Sequence, residues 1–332
     1  MIITRSPARI TFGGGGTDLP SYYLRRGGFV VGAAIDKYIY INLHDIFIDK
    51  IIAHYSKSEM VDSVDELRHP IIREALKMTG VTRRIEVGSM ADIPARAGLG
   101  SSGSFTVGLL KALHFHNREF VPPQDLAEEA CRIEIELLKE PVGKQDQYIA
   151  AFGGILAIEF HKDGTVVPQS IRLSKNTLVD LEDNLLLFFT GFSRKSHMVL
   201  RKQDVLTKRA NREMIRSLDE IKEIGYLCRD ALKAGDTVRF GELMNTHWQS
   251  KKKRAKEMTN PKIDRWYEIG LKNGAVGGKL VGGGGGGFLS SLFSGFKATG
   301  GMIPQGTFGI IGERGPEPVI STSRGTMVLP NR

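Results

Sequence analysis

The chain has 332 residues, of which 41% are hydrophobic and 25% charged, ordinary values for a globular protein with room for two domains. It has no membrane-length apolar run, no signal-peptide pattern at its N-terminus and only two cysteines, so we expect a cytoplasmic protein without a membrane partner, a disulfide framework or a zinc site. The net charge of +9 is compatible with nucleic-acid binding, but no recognition motif or interleaved aromatics accompany the basic runs, so we expect no nucleic-acid partner.

The first half of the chain contains both predicted strands and predicted helices. Apolar and β-branched runs predict strands at 2–12 and 28–44, and apolar residues at helical spacing predict helices at 65–79, 103–118 and 123–140. The last of these carries Glu134 and Glu136, which lie two residues apart and therefore on different faces. Only one of the two glutamates can point at a site.

The second half repeats this mixed order. Its predicted strands lie at 154–160 and 183–190, and its long predicted helices at 196–233 and 236–257. Mixed order of this kind favours an α+β fold of packed layers over a doubly wound parallel sheet. Much of the positive charge falls at 194–216 and 251–256, where solvated helix faces are the simplest explanation. The alternative is a positive field that steers phosphorylated substrates into a cleft.

The most informative segment is the run 92–104, DIPARAGLGSSGS, which links a predicted strand to an apolar helix. Gly98, Gly100 and Gly103 leave backbone N–H groups free to close on an anion, and a helix N-terminus adds its positive dipole end. A flexible glycine-serine loop or an ordinary capped helix start would show the same composition. Two other segments decide between these interpretations.

These segments are SPARITFGGGGTDLP at 6–20 and GGKLVGGGGGGF at 277–288. With the 98–104 turn they resemble the GHMP kinase superfamily, named for its galactokinase, homoserine, mevalonate and phosphomevalonate kinases. The phosphate loop of that superfamily is not of the Walker A type, and the chain contains no Walker A string. EPVGKQDQYIAAFGG at 140–154 and FFTGFSRKS at 188–196 are similar to the branch of bacterial D-glycero-D-manno-heptose 7-phosphate kinases.

This resemblance covers roughly residues 1–288 and implies a two-domain fold. The expected domains are a ribosomal protein S5 domain 2-like domain at 1–170, which holds ATP and sugar, and a ferredoxin-like domain at 171–288 that is incomplete at its end. The expected reaction is ATP- and Mg²⁺-dependent phosphorylation of the anomeric hydroxyl of heptose 7-phosphate to the 1,7-bisphosphate, for nucleotide-activated heptose and surface polysaccharide. The resemblance also allows for a homodimer. The alternatives are another sugar 1-kinase such as a fucokinase, an inactive kinase-like chimera, or a phage structural fragment.

The resemblance also implies a set of site residues. The nucleotide-binding residues would be Gly98, Leu99, Gly100, Ser101, Ser102, Gly103 and Ser104. Asp146 would accept a proton from the acceptor hydroxyl or orient that hydroxyl, and Arg9 would be the cation beside Asp146 and the γ-phosphate. Without the family motifs, Asp146 would be interpreted as a turn residue in a loop and Arg9 as a surface arginine on a strand. Ser102 and Glu134 would hold Mg²⁺, which takes few protein oxygens, with Glu136 as the fallback.

Recognition of the sugar is expected at two further places. Thr17 and Asp18 fall where sugar kinases of this superfamily grip substrate hydroxyls, although Asp18 could instead cap the turn before Leu19. Arg194 and Lys195 are the candidates for the terminal phosphate of the sugar, by resemblance and by charge. All four belong to the predicted substrate site.

The composition changes near the end of the chain, where glycine becomes unusually frequent. Residues 289–332 resemble the C-terminal end of phage tail tape-measure proteins rather than the end of a GHMP kinase, which suggests a fusion joined within 283–292. A natural glycine-rich tail is the alternative. Because turn formers interrupt its short apolar runs, we expect the segment after residue 288 to add no apolar element to the second domain.

Overall fold

The computed structural model describes residues 1–95, 97–191, 196–254 and 258–293, without the side chains of 196–198, together with the backbone of three short strands beyond residue 300. The first half contains a seven-stranded sheet. Its strands are β1 (Ile2–Gly13), β2 (Gly28–Asp45), β3 (Ile51–His54), β4 (Ser58–Val61), β5 (Ile85–Ala91), β6 (Ile155–Phe160) and β7 (Val166–Ser170).

The long strand β2 organises this sheet. The strand order is β4-β3-β5-β2-β6-β7, and β1 pairs with β2 off that path. Residues 28–33 of β2 pair with β6 and residues 39–45 pair with β5. Every pairing is antiparallel except β3 with β5. The two strands predicted at 2–12 and 28–44 are therefore confirmed as one antiparallel pair.

Helices cover this sheet and carry most of the predicted site. They are α1 (Pro20–Arg26), α2 (Pro70–Thr79), α3 (Ser101–His116), α4 (Pro123–Cys131) and α5 (Gln145–Phe152), with a 3₁₀ turn at Val64–Glu66 and a π-helical segment at Arg132–Leu137. The start of α3 differs from the expected 103, because Gly100 takes a left-handed conformation at φ 75° and the helix begins directly after it.

Among the described residues from 171 to 293, the second half contains five helices and a small sheet. Its elements are α6 (Lys175–Asn184), β8 (Leu185–Phe189), α7 (Ser196–Lys208), α8 (Arg212–Ala234), α9 (Thr237–Arg254), α10 (Pro261–Lys272), β9 (Ala275–Leu280) and β10 (Phe288–Phe293). The single helix expected at 196–233 is wrong, because Ala210 turns left-handed at φ 54° and Asn211 caps a new helix through the Met214 N–H. The α+β fold class is confirmed.

One hydrophobic core joins the two halves. Phe12 of β1 meets Phe240 of α9 edge to face at 5.1 Å, and Phe29 of β2 stacks on Tyr226 of α8 at 4.0 Å. Such aromatic pairs add packing energy beyond the area that they bury. The core therefore fixes how β1 faces α9, and the site described below lies between these two elements.

Strand β10 corrects the expectation for the chain after residue 288. It lies in the middle of the second sheet, paired antiparallel with β8 on one side and β9 on the other. Leu289, Leu292 and Phe293 are buried, and so are the two serines between them. Residues 289–293 thus supply an apolar central strand, because a strand covered on both faces need not alternate in polarity.

We predict that Leu292→Ala destabilises the protein by about 2–5 kcal/mol, the usual cost of emptying a buried leucine site. The side chain of Leu292 is 1% exposed and packs in the main core. The matched control is Leu227→Ala on α8, where the leucine is 48% exposed and the cost should stay within about 0.5 kcal/mol. Urea unfolding measures both variants. Equal stability of the two would show that β10 is not an integral strand.

A third sheet follows, formed by β11 (Gly301–Pro304), β12 (Val319–Thr322) and β13 (Gly325–Val328) in the order β11-β13-β12. Both of its pairings are antiparallel. Within the described part of the chain, none of the helices combines the length and the apolar character that a membrane span needs.

Candidate active site

A cleft opens where β1, the glycine turn after it, and the first turns of α3 and α5 face α9 and β9. The predicted residues that line it are Arg9, Asp18, Gly98, Gly100, Ser101, Ser102 and Asp146. The sequence motifs at 6–20, 98–104 and 277–288, far apart in the chain, thus meet at one place.

Two glycine segments pack backbone against backbone at the cleft floor. A Cβ added to Gly98 would lie 2.8 Å from the Val281 carbonyl oxygen, and one added to Gly282 would lie 2.6 Å from Gly98. A Cβ on Gly287 would come within 2.2 Å of the Ala97 carbonyl oxygen. Since real side chains do not tolerate such distances, the C-terminal glycine run is needed for close contact with the 98–100 loop.

The first turn of α3 is suited to an anion. Its N-cap, Gly100, offers no side-chain hydrogen bond, so the N–H groups at the helix start are not capped from within. These groups and the dipole end of a 16-residue helix face the cleft beside Ser101 and Ser102. The arrangement agrees with the phosphate loop expected from the sequence.

Three of the seven predicted nucleotide residues hold this loop rather than line the cleft. Leu99 is buried in the main core, and its carbonyl accepts from the Arg9 N–H at 2.9 Å. Gly103 packs against α5, where an added Cβ would lie 2.8 Å from the Asp146 Cβ. The Ser104 hydroxyl lies 2.7 Å from the Pro7 carbonyl and 3.0 Å from the Gly100 carbonyl, either of which can accept its proton. The Leu99 side chain and the Ser104 hydroxyl are therefore held within the protein, and contact of these three residues with nucleotide stays a prediction.

Arg9 and Asp146 form a close ion pair at the centre of the cleft. Nε and Nη2 of Arg9 both lie 2.7 Å from Oδ1 of Asp146, and Nη1 donates to the Gly98 carbonyl at 2.7 Å. No hydrogen bond from a described residue reaches Oδ2 of Asp146. Arg9 therefore ties the carboxylate to the phosphate loop while one carboxylate oxygen stays available to a substrate. Asp146 lies in the first turn of α5, not in the loop that the sequence suggested.

Asp18 is held by the chain around it. Its Oδ1 accepts from the Gly16 N–H at 3.0 Å, and its Oδ2 accepts from the Gln145 N–H at 3.2 Å and from Nε2 of Gln145 at 3.0 Å. Burial raises the pKa of this carboxyl, and the nearby charge of Asp146 adds to the effect. Only glycine fits at position 143, because a Cβ there would lie 1.9 Å from Oδ2 of Asp18.

Thr17 is placed differently from the expectation. Its side chain is fully buried, with its hydroxyl 2.8 Å from the carbonyl oxygens of both Gly14 and Phe29, and it accepts from the Phe29 N–H at 3.0 Å. Its O–H donor and one of its acceptor lone pairs are used within the protein. Thr17 therefore holds the glycine turn against β2, and the prediction that it contacts sugar is corrected.

Ser102 and Glu134, the predicted metal pair, are brought together. The Ser102 hydroxyl and Nε2 of Gln147 donate to the two oxygens of the Glu134 carboxyl. Burial raises the pKa of Glu134 to about 7, against the lowering effect of these hydrogen bonds. The π-helical segment buries Glu134 and leaves Glu136 exposed, so one glutamate alone points inward, as the spacing predicted.

Several cleft residues were not among the predicted site residues, although Lys251 and Arg254 belong to the basic run at 251–256, for which substrate steering was the alternative explanation. His247, Lys251 and Arg254 of α9 line the cleft together with Lys279 of β9 and Gln203 of α7. The available signal was the spacing of the three α9 residues, which are four and then three apart and so share one helix face. Arg194 and Lys195, predicted to bind the sugar phosphate, lie outside the described residues.

Comparison with known proteins follows the same two-part division. A family model described as the GHMP kinases N terminal domain matches residues 68–154, which include the phosphate loop and Asp146. A second, described as GHMP kinases C terminal, matches residues 228–298, which include the glycine run and β10. This second match extends into the segment that resembles a tape-measure protein, and that latter resemblance stays a prediction.

Individual relatives agree. The chain is 28% identical over 300 residues to the D-glycero-alpha-D-manno-heptose 7-phosphate kinase of Campylobacter jejuni, covering 87% of this chain and 88% of that protein. It is 25% identical to the bifunctional fucokinase/GDP-fucose pyrophosphorylase of Arabidopsis thaliana, covering 85% of this chain but 29% of that protein.

A solved structure with the same fold is that of a protein named D-glycero-D-manno-heptose 1-phosphate kinase from Bacteroides thetaiotaomicron, with a TM-score of 0.72, 23% identity and 88% of each chain covered. The fold, the meeting of three separated motifs in one cleft and the two domain matches agree. Members of this family use ATP as the phosphoryl donor. The chain therefore contains the N-terminal and C-terminal domains of GHMP kinases and is an ATP-dependent kinase.

Proposed function

We propose that the protein transfers the γ-phosphoryl group of ATP to the anomeric hydroxyl of D-glycero-D-manno-heptose 7-phosphate, giving the 1,7-bisphosphate for nucleotide-activated heptose and surface polysaccharide synthesis. The observation that carries this proposal is the Arg9–Asp146 pair, held between the phosphate loop and the Asp18 turn. The Campylobacter relative, which matches nearly the whole chain, supports heptose 7-phosphate as the acceptor. A cytoplasmic location, a homodimer and a separate tail stay predictions.

Phosphoryl transfer depends mainly on alignment and on neutralising charge. The N–H groups at the start of α3 would hold the phosphates of ATP, with the acceptor sugar placed on the opposite side of Asp146, at the Asp18 turn. Asp146 would take the proton of the anomeric hydroxyl through its available Oδ2 as the new O–P bond forms and the bond from the γ-phosphorus to the β-phosphate oxygen breaks. Arg9 would offset the negative charge on the transferred group.

The residues present fit a magnesium ion. Ser102 and Glu134 offer hard oxygen ligands at the phosphate loop, and the buried Oε1 of Gln147 beside them has no hydrogen-bond partner among the described residues. Two protein oxygen ligands suit Mg²⁺, which keeps several waters and binds substrate phosphates. When bound, it would neutralise phosphate charge.

The acceptor can be identified directly. Incubation of the purified protein with ATP, MgCl₂ and heptose 7-phosphate should release ADP, and ³¹P NMR should show a second phosphate on the anomeric oxygen. L-fucose is the competing acceptor, because a fucokinase is among the relatives. A higher kcat/KM for fucose than for heptose 7-phosphate would contradict the proposed acceptor. Absence of ADP release with any sugar would contradict sugar kinase activity.

We predict that Asp18→Asn raises the KM for the sugar by about 10-fold or more and leaves the KM for ATP nearly unchanged. A carboxylate that accepts from sugar hydroxyls is worth more than a neutral amide, since hydrogen bonds to charged groups contribute about 1.5–3 kcal/mol. Steady-state kinetics with each substrate varied in turn measures the effect. An unchanged sugar KM would remove Asp18 from the acceptor site.

A further inference from the structure

One wall of the cleft is formed by a cluster of buried and partly buried cations that the reaction described above does not use. It consists of Lys251 and Arg254 of α9 and Lys279 of β9, which we call the cation cluster. Nζ of Lys251 donates to the Leu280 carbonyl at 3.2 Å and to the Gly282 carbonyl, and Nζ of Lys279 donates to the Phe12 carbonyl at 3.0 Å. Both lysines are buried.

The cation cluster has no balancing carboxylate within the described part of the chain. The carboxylates that line the cleft are Asp146, which pairs with Arg9, and Asp18, which accepts from backbone and amide N–H groups. Nε of Arg254 donates to Ser217 and Nη1 donates to Gln203, but its Nη2 is buried and has no hydrogen-bond partner among the described residues. Buried charges are normally paired, and buried donors are normally satisfied.

Burial and the nearness of other cations both disfavour the charged forms of these groups. Burial is the main cause that lowers the pKa of Lys279 to about 7 and that of Arg254 to about 10, and it also lowers the pKa of Lys251 well below its ordinary value. The four cations and two carboxylates that line the cleft leave two positive charges when all are ionised. A phosphate dianion would balance them.

The position of the cluster points to the acceptor. Arg254 lies against the glycine turn that carries Asp18, since a Cβ added to Gly16 would be 3.4 Å from Nη1 of Arg254. Gln203 links Arg254 to this turn, because its Oε1 accepts from Nη1 of Arg254 and its Nε2 donates to the Gly16 carbonyl at 3.0 Å. The phosphates of ATP have their own site at the start of α3. Arg254 therefore places one end of the cation cluster at the Asp18 turn, on the proposed acceptor side of the cleft, and Lys251 extends the cluster to the Gly282 carbonyl of the glycine run.

We propose that Lys251, Arg254 and Lys279 bind the phosphate of a phosphorylated acceptor sugar and so select it over an unphosphorylated one. This inference rests on the proposed function and names residues that determine its specificity. The buried, unpartnered Nη2 of Arg254 supplies the directed hydrogen bond, and the two lysines supply the charge.

The test compares Arg254→Gln with the matched control Lys253→Met, which removes the neighbouring, exposed charge of the same helix. We expect Arg254→Gln to raise the KM for heptose 7-phosphate by about 10- to 100-fold, as for a charge-assisted hydrogen bond, with the KM for ATP changed less than about twofold. The preference for heptose 7-phosphate over unphosphorylated heptose should fall by the same factor. Arg254→Lys should recover part of it, and Lys253→Met should match the wild type.

A larger rise in the KM for ATP than for the sugar, or an unchanged preference for the phosphorylated sugar, would overturn the proposal. Binding of inorganic phosphate, measured by calorimetry without nucleotide, separates this result from failure of the proposed function. If wild-type protein fails to phosphorylate heptose 7-phosphate yet binds phosphate in an Arg254-dependent manner, the anion site stands and the acceptor is wrong. If the wild type phosphorylates heptose 7-phosphate normally and Arg254→Gln does not weaken phosphate binding, the anion site is refuted and the proposed function stands.

The pH dependence of phosphate binding gives an independent test of the proposal through Lys279. The titratable and charged groups that face Lys279 are Arg9 of β1, Cys228 of α8, and His247, Lys251 and Arg254 of α9. With a pKa of about 7 this amine is mostly neutral at pH 8, and a bound anion stabilises its charged form. Phosphate binding at pH 8 should therefore take up protons, and affinity should fall as the pH rises above about 7. Calorimetry in two buffers of different ionisation enthalpy measures the uptake, which Lys279→Met should reduce. No uptake in the wild type would contradict a role for the lysines.

Discussion

Asp146→Asn should lower kcat by about 10²-fold or more while nucleotide affinity stays nearly unchanged. An amide cannot take the proton of the acceptor hydroxyl, and it cannot balance the charge of Arg9, whose Nε and Nη2 both lie 2.7 Å from Oδ1. The phosphate loop itself should persist, because Nη1 of Arg9 still donates to the Gly98 carbonyl. Steady-state kinetics and ADP titration together separate the two effects.

The matched control is Asp36→Asn, which makes the same change at a side chain that is 85% exposed. We expect wild-type turnover in that variant, because surface substitutions away from a site have little effect. Turnover close to the wild type in Asp146→Asn would remove this carboxylate from the mechanism. A large loss of ADP affinity in that variant would assign it to nucleotide binding instead.

Gly100→Val is the second change for which we expect a large effect, a loss of nucleotide affinity of about 10²-fold or more. Gly100 has φ 75°, a conformation that a β-branched residue adopts only with strain. A Cβ there would lie 3.0 Å from Cγ of Arg9 and 3.2 Å from Cγ of Asp146. The valine would therefore distort the loop and also press on the Arg9–Asp146 ion pair, so turnover should be lost as well.

The control for strain alone is Gly164→Val in the turn between β6 and β7. Gly164 also has a positive φ, 94°, but nothing lies within 4 Å of the position of its Cβ. Its replacement should cost stability and leave ADP affinity intact, as measured by calorimetry with circular dichroism to check the fold. Wild-type ADP affinity in Gly100→Val would mean that the loop does not hold the phosphates.

Local sequence signals predicted many of the elements because local chemistry controls them. The β-branched runs of β1 and β2 and the glycines of the 98–104 turn set the backbone directly. The sequence also contains a signal for the break before α8, since Asn211 is a strong N-cap residue whose side chain accepts from the Met214 N–H. It contains no such signal for the start of α5, because the N-cap there is Lys144, which makes no side-chain cap.

Side-chain environment was harder to predict than backbone. Thr17 and Ser104 have the residue types of a substrate site, yet their hydroxyls are used by carbonyls of the surrounding chain. Strand β10 carries two serines among its apolar residues and shows no alternation, because neighbours cover both of its faces. In each case at least one partner is distant in sequence: Phe29 for Thr17, Pro7 for Ser104 and β8 for β10.

The sequence by itself pointed to the GHMP kinase superfamily and the α+β class, and it singled out the 98–104 loop, Arg9 and Asp146 as candidates for the site, because family motifs and the conformational preferences of glycine are local properties of short segments. Only the tertiary structure decided that Lys251, Arg254 and Lys279 face the cleft, since a basic run on a helix is normally solvated. Their burial follows from the packing of α9 on β9 and of the glycine run on the phosphate loop. Burial depends on what packs against a helix face, and that information lies elsewhere in the chain.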